Sequence, residues 1–244
     1  MPEAKKDIIH RLQQEILVLQ GFKVPAADSA GSVGLGEIET AFPNHIFPTG
    51  AVHEFIGDSP EGTAACEGFI AGILKALQKN RACLWTGVSR KAFPQALTAF
   101  NVEPEKIVFA DVSTEKEVLW IAEEALKCKE LSAVIGEVRE LNFAQSRRLQ
   151  LAVEKSGVTG FFIRTDIRKI NATACVARWK ITPLPSEPEK GMPGVGFPRW
   201  NVELLKVKNG NPGIWTVEWK DGKFTPIIEP DVPIEIPIRK LKAG

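Results

Sequence analysis

Gly50-Ala51-Val52-His53-Glu54-Phe55-Ile56-Gly57-Asp58-Ser59-Pro60-Glu61-Gly62-Thr63-Ala64-Ala65 decides how the rest of this 244-residue chain reads. Residues 52–56 read as a short buried strand and residues 57–62 as a tight loop. From Thr63 to Leu77 the apolar positions Ala65, Phe69, Ile73 and Leu77 recur at helical spacing. Strand, glycine-bounded loop and helix are the layout of a phosphate-binding P-loop, and Gly57 and Gly62 stand at its spacing. That motif requires Lys and then Ser or Thr after the second glycine. Thr63 and Ala64 occupy those positions. Gly57 and Gly62 can still shape a cradle of backbone amides, but the phosphate-binding cation and the magnesium-holding hydroxyl are missing. Pro60 removes one amide donor, and Glu61 adds a negative charge where phosphate would lie. The expectation is a structural relic, with weak anion binding as the alternative. Restoring Lys at 63 and Thr at 64 should return some nucleotide binding if the frame is intact.

The length suits one ample domain with a large core. The net charge of +1 gives no whole-protein field that would favour nucleic acid, so such a partner has to be met by a local patch. Cys66, Cys83, Cys128 and Cys175 are scattered singly, and the chain has 3 histidines. That pattern argues against a zinc site and for reduced core thiols in the cytoplasm. No cofactor or metal is expected. The charged N-terminus does not read as a signal peptide, and no apolar run approaches the roughly 20 residues that span a bilayer.

Outward from the loop, residues 3–20 form an amphipathic helix with Ile8, Leu12, Ile16 and Leu19 on one stripe. It could dock on its own domain or on a second copy. Residues 21–48 read as a linker with one brief helix at 36–41. Strands are expected at 81–86, 107–110, 131–135 and 160–164, and helices at 93–100, 115–127 and 146–154. Such alternation implies a mostly parallel sheet covered by helices on both faces. The segments 175–181, 200–207 and 214–219 alternate in polarity and are expected to extend the sheet with antiparallel strands. Residues 183–198 read as a long loop. The division is therefore 1–44 as helix and linker, 45–225 as the core domain, and 226–244 as a proline-spaced extended tail.

This order of parts resembles the core ATPase domain of the RecA recombinases, a three-layer α/β/α sandwich. Phe47-Pro48-Thr49-Gly50-Ala51-Val52-His53-Glu54-Phe55-Ile56-Gly57 looks like the lead-in to the P-loop of those proteins. Glu140-Leu141-Asn142-Phe143-Ala144-Gln145-Ser146-Arg147-Arg148-Leu149-Gln150-Leu151-Ala152 resembles a signature shared by the ATPase-degenerate ImuA and SulA proteins. Phe197-Pro198-Arg199-Trp200-Asn201-Val202-Glu203-Leu204-Leu205-Lys206-Val207, with Gly213-Ile214-Trp215-Thr216-Val217-Glu218-Trp219, looks like the C-terminal signature of the ImuA family. The resemblance covers about residues 45–220. It implies a non-catalytic accessory protein of SOS-induced, error-prone DNA repair and translesion synthesis. Its implied partners are an ImuB-like polymerase homologue, RecA or an error-prone polymerase. The alternatives are a divergent active ATPase of the RecA class and a SulA-like cell-division inhibitor; SulA is shorter and lacks the tryptophan-rich strands.

The resemblance also places the remaining candidates. Glu137 fills the position of the second acidic motif at the end of strand 131–135, and is expected to pair with Arg139 or Arg147 rather than hold magnesium. The stretch 85–89, where a catalytic Glu follows its strand in RecA proteins, has no carboxylate. Arg139, Arg147 and Arg148, and then Arg164, Arg168 and Lys169, lie just beyond two parallel strands. Open α/β sheets place ligands there, and RecA-like folds place single-stranded DNA there. DNA and a partner protein both remain open for this basic set. Trp179, Trp200, Trp215 and Trp219 are expected as core or interface anchors, with a base-stacking surface as the alternative.

Overall fold

The computed structural model describes residues 32–78, 81–88, 92–166, 171–188 and 194–227. The helix expected at 3–20, the tail beyond 227, Arg168 and Lys169 lie outside the described residues. The strands are β1 (Val52–Ile56), β2 (Ala82–Gly87), β3 (Ile107–Asp111), β4 (Leu131–Val138), β5 (Thr159–Arg164), β6 (Ala177–Leu184), β7 (Arg199–Val207), β8 (Gly213–Lys220) and β9 (Lys223–Pro226). The helices are α1 (Pro60–Gln78), α2 (Glu115–Leu126) and α3 (Phe143–Ser156). A single sheet runs β3-β2-β4-β5-β1-β6-β7-β8-β9. Strands β1 to β6 are mutually parallel, and β7, β8 and β9 follow antiparallel. This is the expected RecA-like α/β/α sandwich with an antiparallel extension.

The reversal of direction comes one strand later than the alternating pattern suggests. β6 runs parallel to β1, with His53 opposite Ala177 and Phe55 opposite Trp179, and only β7 turns back. Alternation usually marks a strand with one wet face. In β6 the alternation does mark one drier and one wetter face, with Arg178 drawn into an ion pair described below and Lys180 partly exposed, but it does not fix the strand's direction. β9 is a further strand that the sequence reading assigned to no element.

Two cores flank the sheet. One joins α1 and the segment 33–42 to Trp85, Trp179, Trp200, Trp219 and Phe224. The other joins α2 and α3 to Val52, Leu84, Val134 and Phe162. The segment 33–42, expected as linker, belongs to the first core through Val33, Leu35, Ile38 and Phe42. Its turn is held by Glu39, whose carboxylate accepts from Val33 N at 2.9 Å, Leu35 N at 3.2 Å and Ser32 Oγ at 2.9 Å. The tryptophans of β6, β7 and β8 are anchors of this core. Phe55 stacks on Trp179 with ring centres 5.9 Å apart, and Phe224 packs against Trp219 at 5.0 Å. Trp179, Trp200 and Trp219 are buried and offer no face to a nucleic acid base.

Helix α3 begins three residues before its expected start. Asn142 accepts from Gln145 N at 2.9 Å, and the Gln145 side chain accepts in return from Asn142 N at 2.9 Å. This reciprocal box satisfies two amide donors of the first turn and sets the helix start.

Candidate functional site

The carboxyl ends of the parallel strands border a cleft of about 620 Å3. Its floor is the β1–α1 connection, and its walls are the ends of β4 and β5 and the start of α2. The connection is shorter than a phosphate loop. Helix α1 starts at Pro60 rather than Thr63, leaving Gly57, Asp58 and Ser59 between strand and helix. Ser59 causes this. Its hydroxyl accepts from Gly62 N at 3.0 Å, and its carbonyl accepts from Thr63 N at 2.8 Å. Pro60 at the first helical position has no N–H to lose and a φ already suited to the helix. The amide of Gly57 donates to Arg164 O at 2.9 Å. Three of the amides that would face a phosphate are thus spent internally, and Pro60 has none.

Thr63 closes the connection. It is buried, and a Cβ on Gly57 would lie 2.6 Å from Thr63 Oγ1 and 2.9 Å from Thr63 Cα. Gly57 is therefore needed for the close approach of strand end to helix. A lysine at 63 has no room unless the two separate. Gly62 sits inside the first turn of α1, and Ala64 is exposed on that helix.

The second helix start at the cleft is closed in the same way. Thr114 accepts from Glu117 N at 3.3 Å, and Glu117 accepts from Thr114 N at 2.9 Å and from Ser113 N at 3.0 Å. Among the residues lining the cleft, Asp58, Glu115 and Glu137 oppose the cation of Arg139. Asp58 pairs with Lys180 at 3.0 Å, and that hydrogen bond raises the Lys180 pKa. Glu137, for which the sequence suggests an arginine partner, accepts at Oε1 from the indole N–H of Trp85 at 2.7 Å. The β2 end that lacks a carboxylate thus supplies an indole that orients the one on β4. An anionic ligand gains little from such a lining.

The basic set divides. Arg139, Arg147 and Arg148 are exposed, and each leans on a different acid. Arg139 stands 3.9 Å from both Glu115 and Asp166, Arg147 stands 3.8 Å from Glu154, and Arg148 pairs with Glu123 of α2 at 2.5 Å. Arg164 corrects the expectation of a surface contact, because it is completely buried. Its Nη1 donates to Glu54 Oε1 at 2.6 Å. Glu54 Oε2 accepts from Thr173 Oγ1 at 2.7 Å and from Arg178 Nε at 2.9 Å. Glu54 of β1 and Arg178 of β6 are register partners, which brings their side chains to one face. Arg178 also donates to Asn171 O at 2.6 Å, Lys206 donates to Thr173 O at 2.8 Å, and Ala174 N donates to Ser146 Oγ at 2.9 Å. These bonds tie residues 171–174, the described end of the β5–β6 connection, to the sheet and to α3.

Glu54, Ser59 and Thr173 are not among the sequence candidates. Two signals in the sequence pointed to them. A strand buried on both faces that contains His53 and Glu54 needs internal partners for both. Ser-Pro-Glu before a helical run is a helix start signal.

No protein-family model matches the chain. Protein ImuA of Caulobacter vibrioides strain NA1000 / CB15N is 29% identical over 208 residues, spanning 80% of this chain and 85% of the relative. The ImuA of strain ATCC 19089 / CIP 103742 / CB 15 matches with the same figures. The chain is thus similar to ImuA proteins over most of its length. Among the described residues no helix is long and apolar enough to cross a membrane.

Proposed function

We propose that this protein is a non-catalytic accessory of DNA-damage-induced, error-prone repair, acting by binding in translesion synthesis. Similarity to ImuA over most of the chain supports the general role. The observation that carries the non-catalytic part is the closed β1–α1 connection, where Ser59, Pro60 and Thr63 use or remove the donors a nucleotide needs. Phosphoryl transfer depends on positioning and charge neutralisation. Thr63, Ala64 and the carboxylate-lined cleft supply neither. The protein then works through surfaces, with an ImuB-like polymerase homologue, RecA or an error-prone polymerase as partners. Exposed Arg139, Arg147 and Arg148 are available for single-stranded DNA phosphates.

Titration of the full chain with mant-ATP and magnesium tests the first half. No saturable binding at micromolar nucleotide is expected; binding abolished by Glu137→Ala would favour the divergent ATPase instead. Loss of the protein should lower damage-induced mutation frequency in the cell. If division arrest after damage is lost and mutagenesis is unchanged, the SulA-like alternative stands.

A further inference from the structure

The outer face of the α2 and α3 layer carries a feature that the damage-response reading does not use. Trp120 of α2 is 63% exposed and Leu151 of α3 is 43% exposed. Large exposed apolar side chains gathered on one face mark contact surfaces. Here they border two hollows in the seam between the helices. The first, about 240 Å3, is floored by Leu119 and Leu149 beside Trp120. The second, about 480 Å3, is lined by Leu151 and Ala152. The Arg148–Glu123 ion pair stands between them and borders both. Gln145 and Leu149 border the first hollow, and Ala152 and Ser156 the second. Seven residues of helix separate these pairs, about 10.5 Å along the axis at ~1.5 Å per residue.

Cations outnumber carboxylates around the seam. Lys116, Lys127, Lys129, Arg148 and Lys155 line the two hollows with Glu123, Arg148 pairing with Glu123 at 2.5 Å and Lys127 with Glu124 at 2.6 Å. In a chain of net charge +1 this is a local concentration of cations around an apolar floor. Stacked bases would use the exposed indole, but they would leave the apolar hollows unfilled. An apolar side chain fills a hollow and removes its surface from water.

We propose that the α2–α3 seam docks an acidic amphipathic helix of another protein. Two apolar side chains of that helix, seven residues apart, occupy the hollows, and its flanking carboxylates meet the lysines. Two turns of helix span about the same ~10.5 Å as the step along α3 from Gln145 and Leu149 to Ala152 and Ser156, which matches the spacing of the two anchors. The seam's chemistry stands whether or not the damage-response reading holds.

The test uses the full chain and fluorescence anisotropy. The probe is a fluorescein-labelled helical peptide of Glu, Ala and Leu, with Leu at positions i, i+3, i+4 and i+7. Parallel probes are the same peptide with every Glu replaced by Lys, a peptide of residues 228–244 of this chain, and a labelled oligo(dT). Saturable binding of the acidic peptide is expected, weakened about tenfold or more by Trp120→Ala and by Lys127→Glu with Lys155→Glu. Trp120 and both lysines are exposed, so melting temperatures should stay at the parent value and separate loss of binding from loss of fold. Equal binding of the Lys peptide, absence of binding, or indifference to both variants overturns the proposal. Oligo(dT) binding lost with Trp120→Ala, without acidic-peptide binding, makes the seam a nucleic acid surface. Tighter binding of the 228–244 peptide than of the acidic peptide makes the chain's own tail the occupant. Both results overturn the proposal of a separate protein partner.

Discussion

The cleft at the strand ends and the seam between α2 and α3 have opposite characters. The cleft lies where open parallel sheets hold their ligands, yet carboxylates outnumber cations in it and both helix starts beside it are capped by their own side chains. The seam lies on the outer face of a helical layer, where solvated polar side chains are the rule. Apolar floor and cations line it instead. The strand-end position is therefore less suited to an anionic ligand than its place in the fold suggests. Receptivity follows the unsatisfied groups. The cleft has spent its donors internally, while the seam presents apolar surface still in water.

This contrast can be tested through stability, because substitutions at the cleft wall should cost folding energy and those on the open face should not. The largest effect belongs to Arg164→Ala. It removes one partner of a fully buried carboxylate and should cost about 3–5 kcal/mol, read as a fall in the urea midpoint. A loss under about 1 kcal/mol would mean that the Glu54 network is not sealed.

Next comes the neighbour of Glu54 on the opposite face of β1. His53 is buried, stacks on Phe47 at 4.4 Å, donates from Nε2 to Pro48 O at 2.8 Å, and accepts at Nδ1 from Trp179 Nε1 at 3.4 Å. Desolvation outweighs the Pro48 hydrogen bond and lowers its pKa to about 4. The unfolded chain takes up this proton below the ordinary value of 6.5, while the folded chain waits until about 4. Stability should therefore be flat in this respect above pH 6.5 and fall on acidification between those values, by roughly 3 kcal/mol in total. The His53 imidazole resonance should remain that of the neutral ring at pH 5.5; titration near 6.5 would contradict its burial.

Thr63→Lys with Ala64→Thr restores the phosphate-loop residues but forces a long cation against Gly57. Overpacking should cost about 1–3 kcal/mol and return no mant-ATP binding. Recovery of nucleotide binding at unchanged melting temperature would show that the connection opens readily.

The smallest stability effect is expected from Arg147→Ala with Arg148→Ala, within about 0.5 kcal/mol, because exposed ion pairs contribute little. Its readout is affinity for oligo(dT), which should be weak, should fall steeply with salt, and should decrease in the double variant. Unchanged binding would remove these arginines from any DNA surface.

The order of strands and helices was legible because apolar periodicity reports burial locally. Val52–Ile56, the α1 stripe and the alternating strands β7 and β8 all follow from it. The missing Lys and hydroxyl at 63 and 64 were equally plain, since chemistry at a motif position is written residue by residue. Other features required the tertiary structure. Arg164 and Arg147 are the same residue type in the same basic stretch. Only packing decides that one is sealed against Glu54, 110 residues away in sequence, while the other stands in water. The seam arises likewise from two helices whose outward faces meet across the fold. Local pattern determines which residues must be buried; which partner each buried charge finds, and which surface is left without one, depends on contacts between distant segments that no local pattern encodes.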